Sequence, residues 1–294
     1  MSDVTGSVLI LGATGNVGRH VVGELVASGT HVRAHTRDAA RAAEIIPGAE
    51  LVEGELTDEL LEGALDGVDA VFLLSPHGYS MGESQLRVIR ALRRTGVRIV
   101  KLSGTSSAIT PNGPHACRQH WEVEEVLRAS GQPFVILRPN SFMQVLIGQI
   151  MLPALRATGA IPNALGTSGI SLIDARDVAA VAARTLTSDE WDGETLVLTG
   201  PRAITYPEIA GLVSEIRGEQ VPVAEITPAD VRVAMLSRGL QPWEAEHFEE
   251  MYQLFRDGES AFVTDTVERV TGVPPRTVEA YLAELAPSLK PVSA

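Results

Sequence analysis

The chain has 294 residues, enough to bury the core of one large α/β domain or of one domain with a smaller appendage. It is 45% hydrophobic, and 24 Lys plus Arg stand against 37 Asp plus Glu, a formal net charge of −13 that argues against nucleic-acid backbone or anionic membrane as the main partner. The single Cys117 rules out an intramolecular disulfide, the apolar run Phe142 to Leu155 is too short and interrupted to span a bilayer, and the N-terminus passes straight into a strand, so a cytoplasmic protein is expected.

Val8 to Leu11 reads as a first strand. It enters Gly12-Ala13-Thr14-Gly15-Asn16-Val17-Gly18, after which Arg19 to Ser28 has helical spacing and His31 to Thr36 resumes as a strand. With 27 glycines in the chain, three together say little. Their position between an apolar strand and an amphipathic helix is what matters, because it gives each glycine a job. Gly12 allows the sharp turn, Gly15 lets a pyrophosphate approach the backbone, and Gly18 lets helix and sheet pack closely. The phosphates then meet the unpaired N–H groups of a helix N-terminus, and the expected ligand is a dinucleotide.

The end of the second strand discriminates between dinucleotides. An acid about 20 residues beyond the glycines holds a ribose 2′-hydroxyl, whereas a 2′-phosphate calls for Arg. Here Thr36 occupies the acid's place and Arg37 follows, while Asp38 is better explained as the N-cap of the helix Ala39 to Ile46. NADP(H) is therefore expected over NAD(H), with Arg37 and Arg41 forming a local basic pocket.

Further strands are expected at Glu50 to Glu53, Ala70 to Leu74, Arg98 to Ser103 and Phe134 to Leu137. They are separated by helices at Asp58 to Leu65, Gly82 to Thr95 and Cys117 to Ser130. This alternation implies an α/β fold, a doubly wound parallel (Rossmann) sheet with ligands at the strands' carboxyl ends. Ser171 to Asp174 and Glu194 to Thr199 read as two more strands around a helix at Arg176 to Leu186. Helices at Pro207 to Arg217, Pro228 to Arg238, Trp243 to Phe255 and Arg276 to Leu285 would form a smaller cap on the substrate side. The expected division is a dinucleotide-binding domain over residues 1–158, rejoined by segments from 171–199, and a cap region over 200–290.

By the sixth strand the chain resembles the NmrA-like group of atypical short-chain dehydrogenase/reductases, which includes quinone-oxidoreductase-like and isoflavone-reductase-like proteins. The matching pieces are the turn Gly12 to Gly18, Thr36-Arg37, Phe72-Leu73-Leu74-Ser75-Pro76, Lys101-Leu102-Ser103, Leu137-Arg138-Pro139-Asn140-Ser141-Phe142-Met143 and Ile173 to Ala179. Val263 to Pro275 is similar to the group's C-terminal segment. The resemblance implies that Thr14, Gly15, Asn16 and Val17 contact the pyrophosphate, Arg37 the 2′-phosphate, and Leu74, Ser75 and Pro76 the adenosine side. It places Ser103, Pro139, Asn140 and Phe142 near the nicotinamide. Related proteins often carry Asp two residues before the Thr57 position; this chain has Glu55.

Typical members of the superfamily use a Tyr with a Lys four residues later. The chain has two lysines, Lys101 and Lys290, preceded at that spacing by Val97 and Ala286, so the pair is absent. The substitute expected is His120, since a catalytic Lys occupies the equivalent place in isoflavone-reductase-like relatives, four residues before the pair aligned with Glu124-Glu125. An imidazole there could protonate a reduced carbonyl, imine or quinone oxygen, although a histidine on a charged helix is more often plain surface. His115 is a weaker candidate. Ser103, with Thr105, Ser106 and Ser107, offers a hydroxyl where the superfamily's catalytic Ser resides, and Lys101 is either structural or steadies the cofactor. No metal spacing occurs among the seven histidines. Phe142, Met143, Leu146 and Ile150 fit a pocket wall or the core, and Trp243, Phe248, Met251, Tyr252 and Phe255 a substrate lid or a homodimer contact.

The functional expectation is an NADPH-dependent reductase passing hydride to an apolar small-molecule carbonyl, imine or quinone. The alternatives are an NADP(H)-binding redox sensor without turnover and an epimerase or isomerase.

Overall fold

The computed structural model describes residues 6–289, so Lys290 lies outside them. Seven parallel strands form one sheet: β1 (Ser7–Ile10), β2 (His31–Thr36), β3 (Glu50–Glu53), β4 (Val68–Leu73), β5 (Arg98–Leu102), β6 (Phe134–Pro139) and, joining late, β8 (Thr195–Leu198). Their spatial order is β3-β2-β1-β4-β5-β6-β8. The order reverses between β1 and β4, and a crevice opens outside the carboxyl ends of strands at such a reversal. This is the expected doubly wound α/β sheet.

The strands alternate as a two-sided sheet requires. Val8 and Ile10 of β1 face a core built with α1 (Gly18–Ala27) and α7 (Ala175–Thr187). Leu9, with Val71 and Leu73 of β4 and Ile99 of β5, faces a second layer containing α3 (Asp58–Leu65), α4 (Met81–Ala91) and α5 (His115–Arg128). By the same alternation Lys101 of β5 shares Ile99's side and is directed toward α5. Helix starts follow the side chains available: Asp38 accepts from Arg41 N at 3.0 Å to open α2 (Ala39–Ile45), and Thr57 from Leu60 N at 3.2 Å to open α3.

A third core gathers the remaining elements. After β6 the chain enters a π-helix, Gln144–Met151, which continues as α6 (Leu152–Thr158). Met143, Leu146, Ile147 and Met151 pack there with Tyr206, Ile209 and Val213 of α8 (Tyr206–Arg217), with Tyr252 and Phe255 of α10 (Pro242–Arg256) and with Leu282 of α12 (Val278–Leu289). Two short strands, β7 (Ile161–Asn163) and β9 (Val223–Glu225), pair in parallel beside them, followed by α9 (Pro228–Ser237). The helix α11 (Thr266–Thr271) instead packs on α7 and β8.

One expected element is corrected. Ser171 to Asp174 is not a strand; within the segment Ile173 makes a single bridge to Phe142, and Ile170 just before it makes another to Ile204. The edge of β6 that it would need is already paired with β8, so the segment bonds to the loop beyond β6 instead.

Candidate active site

The glycine turn closes tightly, with Gly15 N donating to Gly12 O at 3.0 Å. Gly12 holds φ +68°, and a Cβ there would press on Leu74 Cγ at 2.9 Å. A Cβ on Gly18 would fall on the Gly12 carbonyl itself. Val17 opens α1 without a side-chain cap, and no acidic residue occupies the first turn, so the helix start offers unneutralised N–H groups to an anion. Asn16 Nδ2 is buried at this point with no hydrogen-bond partner. A phosphate oxygen would satisfy it, so the turn fits a diphosphate.

From the turn a groove of about 430 Å³ runs past Gly12, Thr14, Thr36, Arg37, Leu74 and His77. Arg37 is exposed and makes no ion pair among the described residues, while the Asp38 carboxylate is committed to its helix cap. Glu55 also borders the groove. Ser75 Oγ accepts from Gln85 Nε2 at 2.9 Å, which fixes the loop after β4, and Pro76 is exposed beside it. Val17 differs from its neighbours in the turn, because its side chain belongs to the core.

Beyond β5 and β6 lies a buried charge cluster. Glu124 of α5 is wholly buried. Its Oε1 accepts from Ser103 Oγ at 2.5 Å and Arg138 Nε at 3.1 Å, and its Oε2 from Arg138 Nη2 at 2.6 Å and Arg128 Nη2 at 2.9 Å. Burial alone would raise this carboxyl's pKa, but the hydrogen bonds from Arg138 and Ser103 outweigh it and hold the group below the usual carboxylate value. The Ser103 hydroxyl thus gives its proton to Glu124 and can serve any further partner only as an acceptor.

One turn earlier on α5, His120 is half-buried and its Nδ1 lies 2.8 Å from Lys101 Nζ. Lys101 is fully buried, with Leu102 O at 3.3 Å as its other partner. Burial pushes the amine down to about 7; Glu124 opposes the shift, and Arg138 and Arg128 add to it. Burial and the Lys101 charge likewise hold His120 well below the ordinary imidazole value. His120 is therefore no plain surface histidine.

Four of the seven histidines gather here. His77, after β4, has its ring 5.2 Å from His247 and 5.5 Å from Trp243, both on α10. His115 stacks on Tyr79 at 4.8 Å and meets Trp243 at 4.9 Å. His247 is 7% exposed, its Nδ1 is buried without a partner, and burial with the neighbouring histidines pushes it down to about 3, so it stays neutral. The N-terminal half of α10 is thus an aromatic cover over the sheet edge, whereas Tyr252 and Phe255 are consumed in the core. Cys117 takes no part: its thiol packs 3.5 Å from Met251 Sδ and burial pushes it up to about 12.

Asn140 is a knot rather than an open amide. Its Nδ2 donates to Ser171 Oγ at 2.7 Å and Ser260 O at 2.9 Å, and its Oδ1 accepts from Ser141 N at 2.8 Å and Ser260 Oγ at 2.5 Å. It shapes the loop after β6, which runs from the buried Pro139 that ends the strand to the half-buried Phe142. Lys101 carried a sequence signal, a lysine inside the apolar strand Arg98-Ile99-Val100-Lys101-Leu102. The roles of Glu124 and His247 carried none, because Ser103 and Arg138 in the one case and His77 in the other lie on separate elements of the chain.

Fold and groove together define a nucleotide-binding doubly wound protein with an added helical cover. The chain belongs to the NmrA-like family, whose sequence profile matches residues 4–282. It is 33% identical over 273 residues to the NAD(P)H azoreductase of Xenophilus azovorans, covering 92% of this chain and 94% of that one. It is 34% identical over 286 residues to the (4-alkanoyl-5-oxo-2,5-dihydrofuran-3-yl)methyl phosphate reductase of Streptomyces griseus, covering 97% and 99% respectively. The structure of the NADPH-dependent quinone oxidoreductase of Escherichia coli superposes with a TM-score of 0.81 at 25% identity, over 95% of this chain and 99% of that one.

Proposed function

We propose that the protein is an NADPH-dependent reductase that delivers hydride to an apolar, planar acceptor of the quinone type. One observation carries this reading. The anion-ready turn with its unpartnered Asn16 amide and the Lys101–His120 pair lie along one sheet edge, with His77 bordering the groove and touching the aromatic cover. In this reading Thr14 to Gly18 hold the diphosphate, Arg37 the 2′-phosphate, and Leu74 to Pro76 the adenosine. Ser103, Pro139, Asn140 and Phe142 surround the nicotinamide, Asn140 by shaping the loop and Ser103 as an acceptor. The bound dinucleotide supplies the hydride.

The chain's own groups do the rest. Trp243, His77 and Phe248 present ring faces and edges on which a planar acceptor stacks and from which water is displaced. His120 Nε2 donates the proton to the acceptor's reduced oxygen. A substrate domain within 200–290, extended by the π-helix, a cytoplasmic location and a homodimer complete the proposal.

Steady consumption of NADPH with a panel of quinones, azo compounds, ketones and imines tests it. Turnover with the planar acceptors is expected, and loss of most of it in His120→Gln. Binding of NADPH with no acceptor consumed favours the redox sensor.

A further inference from the structure

Lys101 is the one buried amine among the described residues, and it faces His120 across 2.8 Å. A protonated amine can only donate. Its neighbours are Leu102 O, an acceptor, and His120 Nδ1, which must then also accept. That fixes the ring's proton on Nε2, the nitrogen away from the lysine. The Cδ2 edge of the ring, next to Nε2, lies beside Gly104: a Cβ there would stand 3.6 Å from His120 Cδ2 and 3.5 Å from Ile109 Cδ1, so the glycine contributes no side chain of its own next to the donor.

The surrounding charges leave this proton free to move. Glu124, on α5, is the one anion acting on Lys101, and its two oxygens already accept four hydrogen bonds from Ser103, Arg138 and Arg128. Arg138 from β6 and Arg128 from α5 repel the ammonium. His77 from the loop after β4 and His247 from α10 face His120, and neither offers it a negative charge.

We propose that Lys101 is the proton source behind His120: its ammonium sets the imidazole tautomer and replaces the Nε2 proton once that proton has passed to the reduced acceptor. The proposal rests on the reductase reading and deepens it. When the acceptor has taken up hydride, its oxygen carries the negative charge. The Nε2–H bond breaks and an O–H bond forms; in concert an Nζ–H bond breaks and an Nδ1–H bond forms. Lys101 is left neutral and accepts from Nδ1–H. A solvent proton then adds at Nε2 and the Nδ1 proton returns to Nζ, which restores the pair with no net redox change. Lys101 touches no substrate, so its role is that of a positioning residue.

The test begins with the intact protein alone, labelled with 15N-histidine and titrated by NMR, with His120→Gln assigning the signal. At pH 6 the His120 signals are expected to show protonated Nε2 and bare Nδ1, and to move in one step near pH 7, as the amine discharges. Lys101→Met should abolish that step. An Nδ1–H tautomer at pH 6, or a titration unchanged in Lys101→Met, overturns the proposal.

Kinetics supply the second arm. Turnover at saturating acceptor is expected to fall as pH rises through about 7 in the wild type. In Lys101→Met it should be about 100-fold lower at pH 6 and flat across that range. Lys101→Arg, which keeps the charge and cannot release it, should preserve the tautomer without restoring turnover; full turnover in this variant refutes proton supply. Wild-type protein that consumes no acceptor refutes the reductase reading itself, whereas active wild type with an unimpaired Lys101→Met refutes the relay alone.

Discussion

Glu124→Gln is the most informative single change in the chain. The carboxylate is completely buried and receives four hydrogen bonds, three from guanidinium nitrogens at 2.6, 2.9 and 3.1 Å and one from Ser103 at 2.5 Å. A glutamine has the same shape but turns one acceptor into an NH2 donor. That donor must face a guanidinium or the Ser103 hydroxyl, and it leaves half-buried Arg138 without a counter-charge. Removing one partner of a buried ion pair costs about 3–5 kcal/mol. For a chain of this size each kcal/mol lowers Tm by about 2–4 °C, so a fall of about 10 °C is expected at pH 7 by calorimetry.

The pH dependence carries a sign. Because the hydrogen bonds hold the folded carboxyl below 4.5, its contribution is complete above that pH and is lost as pH falls through the lower folded value. The gap between wild type and Glu124→Gln should therefore be constant above about pH 5 and narrow as pH falls below 4.5. In a double-mutant cycle with Arg138→Met the effects should be strongly non-additive, by about 1–3 kcal/mol. A Tm change within about 2 °C at pH 7, or a gap that is constant with pH, refutes the cluster as a charge-paired unit.

Two further outcomes follow from the groove. Arg37→Ala removes a charge-assisted contact of about 1.5–3 kcal/mol, so calorimetry should show NADPH affinity reduced about 10- to 100-fold with NADH affinity unchanged. Equal losses for both nucleotides would remove Arg37 from the 2′-phosphate. Gly18→Ala places a methyl on the Gly12 carbonyl and should abolish nucleotide binding and lower Tm. Gly23→Ala on the same helix meets no atom within 4 Å and should leave binding intact with Tm unchanged or up by a few degrees.

Much of this architecture could be read from local pattern. The glycine turn, the Asp38 and Thr57 caps and the apolar parallel strands are each specified within a few residues of chain. What escaped depends on distance or on an unusual helical pitch. Phe142, Met143, Leu146 and Ile150 have the spacing of an ordinary helix, yet Gln144–Met151 winds as a π-helix, a difference that no spacing of apolar residues distinguishes. The strand Ile161–Asn163 is three residues long with a proline at its centre, and its partner β9 lies about sixty residues on, so nothing local announces it. The six residues of Thr266–Thr271 are too few to show a helical period. In the site, His120 could be found from the family resemblance, but its character could not. Its partner Lys101 comes from β5, and the cluster at Glu124 joins β5, α5 and β6 at separations of 14 and 21 residues.

The Asn140 amide finds its partners 31 and 120 residues further along the polypeptide. During synthesis the strands β1 to β6 leave the ribosome long before Ser260 does, and until then the Asn140 amide lacks the two hydrogen bonds that Ser260 supplies. Contacts of such long range are slow to form. The nucleotide groove can therefore assemble on the nascent chain, while the reacting edge beside it must await the last segment.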